Sequence, residues 1–120
     1  MFEFKSKSLL FITGLSLILD FSGFCRGNDK PEYLEKFLST HCYECHGSKE
    51  QEGEIRLDNL GLDLTNQENI EIWQLVLDQL NLNEMPPQKK PRPDPPASER
   101  VVSFLTDNLT RAYGEFQSTE

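Results

Sequence analysis

The sequence predicts a small all-α fold, and three observations predict it. Three stretches, 31–41, 65–83 and 94–113, repeat apolar residues at the three- and four-residue spacing of a helix. The segment between the first two, 47–63, alternates too poorly for strands and is punctuated by Gly47, Gly53 and Gly61. A chain of 120 residues is one domain at most, short enough to need help in assembling a core.

Residues 1–27 read as an export signal. Lys5 and Lys7 give a basic start, and Leu9 to Leu19 form an apolar run of signal-core length that is short for a membrane span. Small residues at Cys25 and Gly27 place cleavage before Asn28, leaving 28–120 as the domain and the periplasm as the expected location. Lipidation of Cys25 is the competing reading, although Phe24 is bulky for such a signal; membrane association is expected only with that anchor or an uncut leader. Without the leader the chain holds 9 basic and 18 acidic residues, net −9. That surface repels nucleic acid and favours a partner with a basic docking patch, while serving solubility equally well.

The first helix, Pro31 to His41, has Asp29 as its expected cap and Leu34, Phe37, Leu38 and His41 as its apolar stripe. It leads into Cys42-Tyr43-Glu44-Cys45-His46, a C-x-x-C-H string, which is the attachment signal of a c-type haem. On one turn, residues three and four apart share a face, so both thiols can bond the porphyrin while the His46 imidazole reaches iron. With Cys25 removed, the two remaining cysteines are the two that a haem consumes. C-x-x-C also marks redox disulfides and half of many zinc sites. A zinc site would need His41 beside Cys42, Cys45 and His46, four donors crowded into six residues.

In the irregular segment Ile55, Leu57, Leu60 and Leu62 are the inward residues, and Arg56 is either a propionate partner or a solvated charge. Thr65-Asn66-Gln67-Glu68 is a capping box opening the second helix, whose buried face is Ile70, Trp73, Val76, Leu77 and Leu80. Trp73 is core by default, with stacking near the haem as the sharper alternative.

Past Asn81-Leu82-Asn83 comes Glu84-Met85-Pro86-Pro87. Alone, Met85 is an ordinary loop methionine before a proline. Beside the C-x-x-C-H string it is the candidate sixth iron ligand, since a thioether opposite histidine is common in electron-transfer haems. Gln88 to Pro96 is a proline-rich surface linker with positive charges at Lys89, Lys90 and Arg92, either solvated or a docking spot. Asp94-Pro95-Pro96 opens the last helix, with Val101, Phe104, Leu105, Leu109 and Ala112 inward, Phe104 facing Phe37, and fraying after Tyr113.

Together, Cys42–Gly47, the Gly53-Glu54-Ile55-Arg56-Leu57-Asp58 segment, Trp73 to Leu80, Glu84-Met85-Pro86-Pro87 and Glu99 to Leu105 resemble the Planctomycete-type cytochrome c domain. The resemblance implies a small cytochrome c fold wrapped around one covalent haem c, with thioethers at Cys42 and Cys45 and axial His46 and Met85. Phe104 stands where relatives commonly carry tryptophan. The expected function is single-electron transfer to a redox partner protein. No small-molecule substrate and no catalysis are expected, because His46 and Met85 together leave iron no open position. Two other readings are a haem-bearing sensor, in which loss of Met85 signals to a partner, and a shortened relic of a longer protein.

Overall fold

The computed structural model describes residues 29–118, so the export signal assigned to 1–27 lies outside the described residues. The described residues are all-α: α1 (Glu32–His41), a single 3-10 turn (Glu52–Glu54), α2 (Gln67–Asn81) and α3 (Pro95–Ser118), with no strand among them. None of these helices is long and apolar enough to cross a membrane.

The start of α1 differs from expectation. Pro31 occupies the N-cap position with no side-chain cap, and its carbonyl accepts from the amides of Leu34 (2.9 Å) and Glu35 (3.0 Å). Asp29 does not cap, because the cap bond comes from the N-cap residue itself and Asp29 lies two positions upstream. Glu32 and Glu35 still place negative charge in the first turn, where the helix dipole favours it.

At α2 the cap moves by one residue. Asn66 Oδ1 accepts from the amides of Glu68 (2.9 Å) and Asn69 (3.3 Å). Thr65, the expected cap, is already engaged: its amide (3.1 Å) and hydroxyl (2.6 Å) both donate to Asp63 Oδ1. An aspartate two residues upstream captures it in an Asx turn and leaves the cap to Asn66.

Helix α3 begins where expected, with the Asp94 carbonyl accepting from Ala97 and Ser98 at 3.0 Å each. It does not fray after Tyr113 but runs through Gly114 to Ser118. One glycine costs a helix about 1 kcal/mol, too little to end it without a proline or a cap motif.

Helix α3 packs against both α1 and α2. Leu34 and Leu38 of α1, Trp73 of α2, and Val101, Leu105 and Leu109 of α3 are fully buried and form the seam. The expected inward faces are all buried or half-buried, including Leu57 and Leu60 of the irregular segment. Trp73 is core, and its Nε1 donates to the Gly61 carbonyl at 2.8 Å, which fastens that segment to α2. Phe104, however, does not face Phe37. It meets Tyr33 edge-on with ring centroids 5.9 Å apart, while Phe37 leans on His41 at 5.1 Å. Tyr33 is one turn before Phe37 on the same side of α1, so the face was right and the register was one turn off.

Candidate functional site

The C-x-x-C-H string leaves the end of α1 as one tight turn. The Cys42 amide donates to Leu38 O (2.8 Å), and the Cys42 carbonyl accepts from the amides of Cys45 (3.2 Å) and His46 (2.9 Å). Both cysteines are free thiols and half-buried, so this turn holds no disulfide. Burial first, and the neighbouring Cys45 second, push the Cys42 thiol up to about 12. The turn needs a glycine after it: a Cβ at Gly47 would stand 2.4 Å from the Tyr43 carbonyl oxygen.

After Gly47 the chain doubles back. Gly47 N donates to Glu50 O (2.8 Å), Glu52 N to Cys45 O (2.9 Å) and Leu57 N to His46 O (2.8 Å). The reversal passes through Gly53 and Glu54, both left-handed at φ 64° and 61°. Glycine adopts that conformation without cost, whereas glutamate pays a modest steric penalty. The returning strand of chain brings the Ile55 carbonyl oxygen to 3.3 Å from His46 Nδ1. A carbonyl can only accept, so this contact is a hydrogen bond in the tautomer that carries its proton on Nδ1, and that tautomer leaves the Nε2 lone pair for a metal.

Tyr43 ties the turn to α1. Its hydroxyl donates to the Glu35 carboxylate (2.9 and 2.8 Å), and Glu35 also pairs with Lys30 at 3.4 Å. Lys30 in turn donates to the carbonyls of Leu60 (2.8 Å) and Leu57 (3.4 Å). Burial, followed by the Glu35 bond, holds the Tyr43 phenol above its ordinary range. Arg56, expected beside a propionate or in solvent, instead forks onto Asp58, Nε to Oδ1 at 2.7 Å and Nη2 to Oδ2 at 3.0 Å. A carboxylate two residues along captures it. The open hollow lined by Lys30, Glu35, Asp58 and Gly61 is polar and contains none of Cys42, Cys45, His46 or Met85.

Met85 lies on a separate loop after α2. It is 37% exposed, beside Leu82 at 65%, while Pro86 is buried and the Met85–Pro86 peptide is cis. This loop and the cysteine turn are joined: Lys90 Nζ lies 2.7 Å from Glu44 Oε1, and Glu44 sits between Cys42 and Cys45. The linker expected to be plain surface chain is therefore pinned, since Arg92 also donates to the carbonyls of Pro86 and Asn83.

The donor chemistry fits a covalent haem. Two free sulfurs and an imidazole share one turn, and the loop after α2 that carries the candidate thioether leaves Leu82 and Met85 exposed. Among the described residues no three His, Cys, Asp or Glu groups are placed to share a metal ion. Sequence reasoning named Ile55 as an inward side chain but missed the contact of its carbonyl with His46, because a carbonyl acceptor has no residue-type signature. It also missed the Tyr43–Glu35 bond, although the eight-residue spacing puts Glu35 on the helix just upstream.

The family model described as Planctomycete cytochrome C matches residues 42–89, a span that runs from the first motif cysteine past Met85. No curated protein and no solved structure matches the chain.

Proposed function

With residues 42–89 matching the family model described as Planctomycete cytochrome C, we propose that the protein is an exported monohaem carrier of single electrons, its haem c bonded through Cys42 and Cys45 and its iron ligated by His46 and Met85. The observation that supports this most directly is the His46–Ile55 contact: it favours the tautomer with the proton on Nδ1, which leaves Nε2 for iron. Haem bound in this way supplies an iron that accepts and releases one electron, at a potential raised by the thioether ligand.

The chain's own residues have separable tasks. Cys42 and Cys45 anchor, and Gly47 lets the turn close against Tyr43. The Ile55 carbonyl orients His46 and raises its basicity as a ligand. Tyr43, through Glu35 and Lys30, fastens the turn to α1 and to the 57–60 segment. Met85 supplies a soft sulfur from a loop stiffened by Pro86 and Pro87. Because His46 and Met85 would both hold the iron, a carrier role is favoured over catalysis. The net charge of −9 outside the leader suits a redox partner with a basic docking surface, and the leader directs the chain to the periplasm.

Visible spectra of ferric and ferrous protein, matured in cells that attach c-type haem, test this reading. Covalent haem on a denaturing gel and a far-red sulfur-to-iron band lost in Met85→Ala are the expected results. A colourless protein with free sulfhydryls at Cys42 and Cys45 would overturn it.

A further inference from the structure

We propose that Arg92 is a positioning residue for Met85: its guanidinium closes the 83–92 loop around the thioether, and the Lys90–Glu44 pair clasps the closed loop to the cysteine turn. The proposal rests on the reading of Met85 as an axial ligand. Its observations come from a basic stretch that the haem motif itself does not explain.

Arg92 Nη2 donates to Asn83 O and Nη1 to Pro86 O, both at 2.6 Å. These two carbonyls bracket Glu84 and Met85. Asn83 is left-handed at φ 60°, a conformation asparagine tolerates better than most residues. On the entry side, the amides of Glu84 (3.0 Å) and Met85 (3.4 Å) both donate to Gln79 O at the end of α2. On the exit side, Lys90 N donates to Pro87 O at 2.8 Å. The loop is thus held to α2 at its start and closed on itself by one side chain at its end. Within it Pro86 is buried and Met85 is open to solvent.

The two contacts differ in weight. A guanidinium presents N–H groups in a rigid fork that matches two fixed carbonyls, a geometry no lysine reproduces. The Lys90–Glu44 pair is a surface ion pair, with side chains 33% and 74% exposed, so it sets direction more than strength. An iron–thioether bond is weak, and its persistence against competing ligands depends on how little the loop moves when the bond breaks.

Imidazole titration of the ferric, haem-loaded protein reads this out, together with the far-red band and amide hydrogen exchange at Glu84 and Met85. Met85→Ala is the reference for an iron position with no competitor. Arg92→Gln is expected to bind imidazole about tenfold tighter, weaken the far-red band and speed exchange of both amides about tenfold, as loss of a charge-assisted bond predicts. Arg92→Lys should restore less than half of that change, and Lys90→Gln should stay within about twofold of the parent protein. Arg92 is exposed, so these variants keep the helical core, which far-ultraviolet circular dichroism verifies. Parental imidazole affinity and parental exchange in Arg92→Gln would overturn the proposal while leaving the axial reading intact. If instead Met85→Ala leaves imidazole affinity unchanged, the axial reading fails, and the proposal of a positioning role fails with it even where exchange shows that Arg92 closes the loop.

Discussion

The seam between the helices and the edge that carries the donors are built on opposite principles. In the seam, Leu34, Leu38, Trp73, Val101, Leu105 and Leu109 are fully buried, and no buried side-chain polar atom among the described residues lacks a partner. At the edge, Cys42, Cys45 and His46 are only half-buried and Met85 is exposed. The seam is held by non-directional burial, about 1.5–3 kcal/mol for each large side chain. The edge is held by directional bonds worth about 0.5–1.5 kcal/mol each. The donors therefore lie outside the fully buried seam, although Cys42 packs against it. Sulfur and nitrogen groups half-open to solvent, on a turn locked by His46–Ile55 and Tyr43–Glu35, are arranged for something the chain does not itself provide.

The sharpest way to break this comparison is to empty the seam. Trp73→Ala is expected to cost about 3–5 kcal/mol, from lost burial and a large cavity, read by urea or thermal unfolding. Trp73→Phe should retain most of the packing but lose the bond to Gly61 O, at a cost of about 1–2 kcal/mol. A loss below about 1 kcal/mol for the alanine variant would mean that the seam does not carry the fold.

Gly47→Ala comes next and sharpens the contrast, because there the edge is closely packed. A Cβ placed 2.4 Å from Tyr43 O must push backbone against backbone, with no flexible side chain to yield. The expected cost is about 1–3 kcal/mol, with a lower yield of haem-loaded protein on a stained gel. Normal stability and normal loading would show that the turn can open freely.

Met85→Ala lies at the other extreme. At 37% exposure the side chain contributes little to packing, and the unfolding free energy of the haem-free chain should change by less than about 0.5 kcal/mol. In the loaded protein the same substitution should abolish the far-red band and lower the reduction potential. A large stability loss without haem would place Met85 in the core and erase the distinction between the two regions.

How far the sequence could be read follows the same division. The helical spacing of Leu34, Leu38, Trp73, Leu77, Leu105 and Leu109 identified the seam, because burial acts on residue type and a helix repeats its faces. The tight turn at Cys42–His46 was legible for a similar reason, since residues three and four apart share a face. Register was not legible: periodicity says that Phe104 faces α1 but not whether it meets Phe37 or Tyr33. Nor were the contacts made to backbone. Nothing in the residue types reveals that the Ile55 carbonyl returns to His46, or that a left-handed Asn83 aligns two carbonyls for Arg92. The caps fell between these cases. Thr65 and Asn66 both stood at the helix start, but which of them would cap it depended on Asp63 engaging Thr65 first.

The smallest effect belongs to the Arg56–Asp58 fork, which is directional like the edge but contributes to no donor. The Arg56 bond, and secondarily the charge of Arg56, hold the Asp58 carboxyl below its ordinary value. A carboxyl whose folded value is depressed contributes stability above its unfolded titration range and loses that contribution as pH falls through the folded value. Both side chains are partly open, at 37% and 25% exposure, so solvent screens the pair and the stability at stake is slight. Carboxyl NMR should find Asp58 titrating below an ordinary aspartate in the parent protein and moving upward in Arg56→Gln. The melting temperature of that variant should lie slightly below the parent's at neutral pH, and the gap should close on acidification. An Asp58 that titrates like a free aspartate would show that the fork is loose in solution. In that case Arg56 would be available to a propionate of the proposed haem.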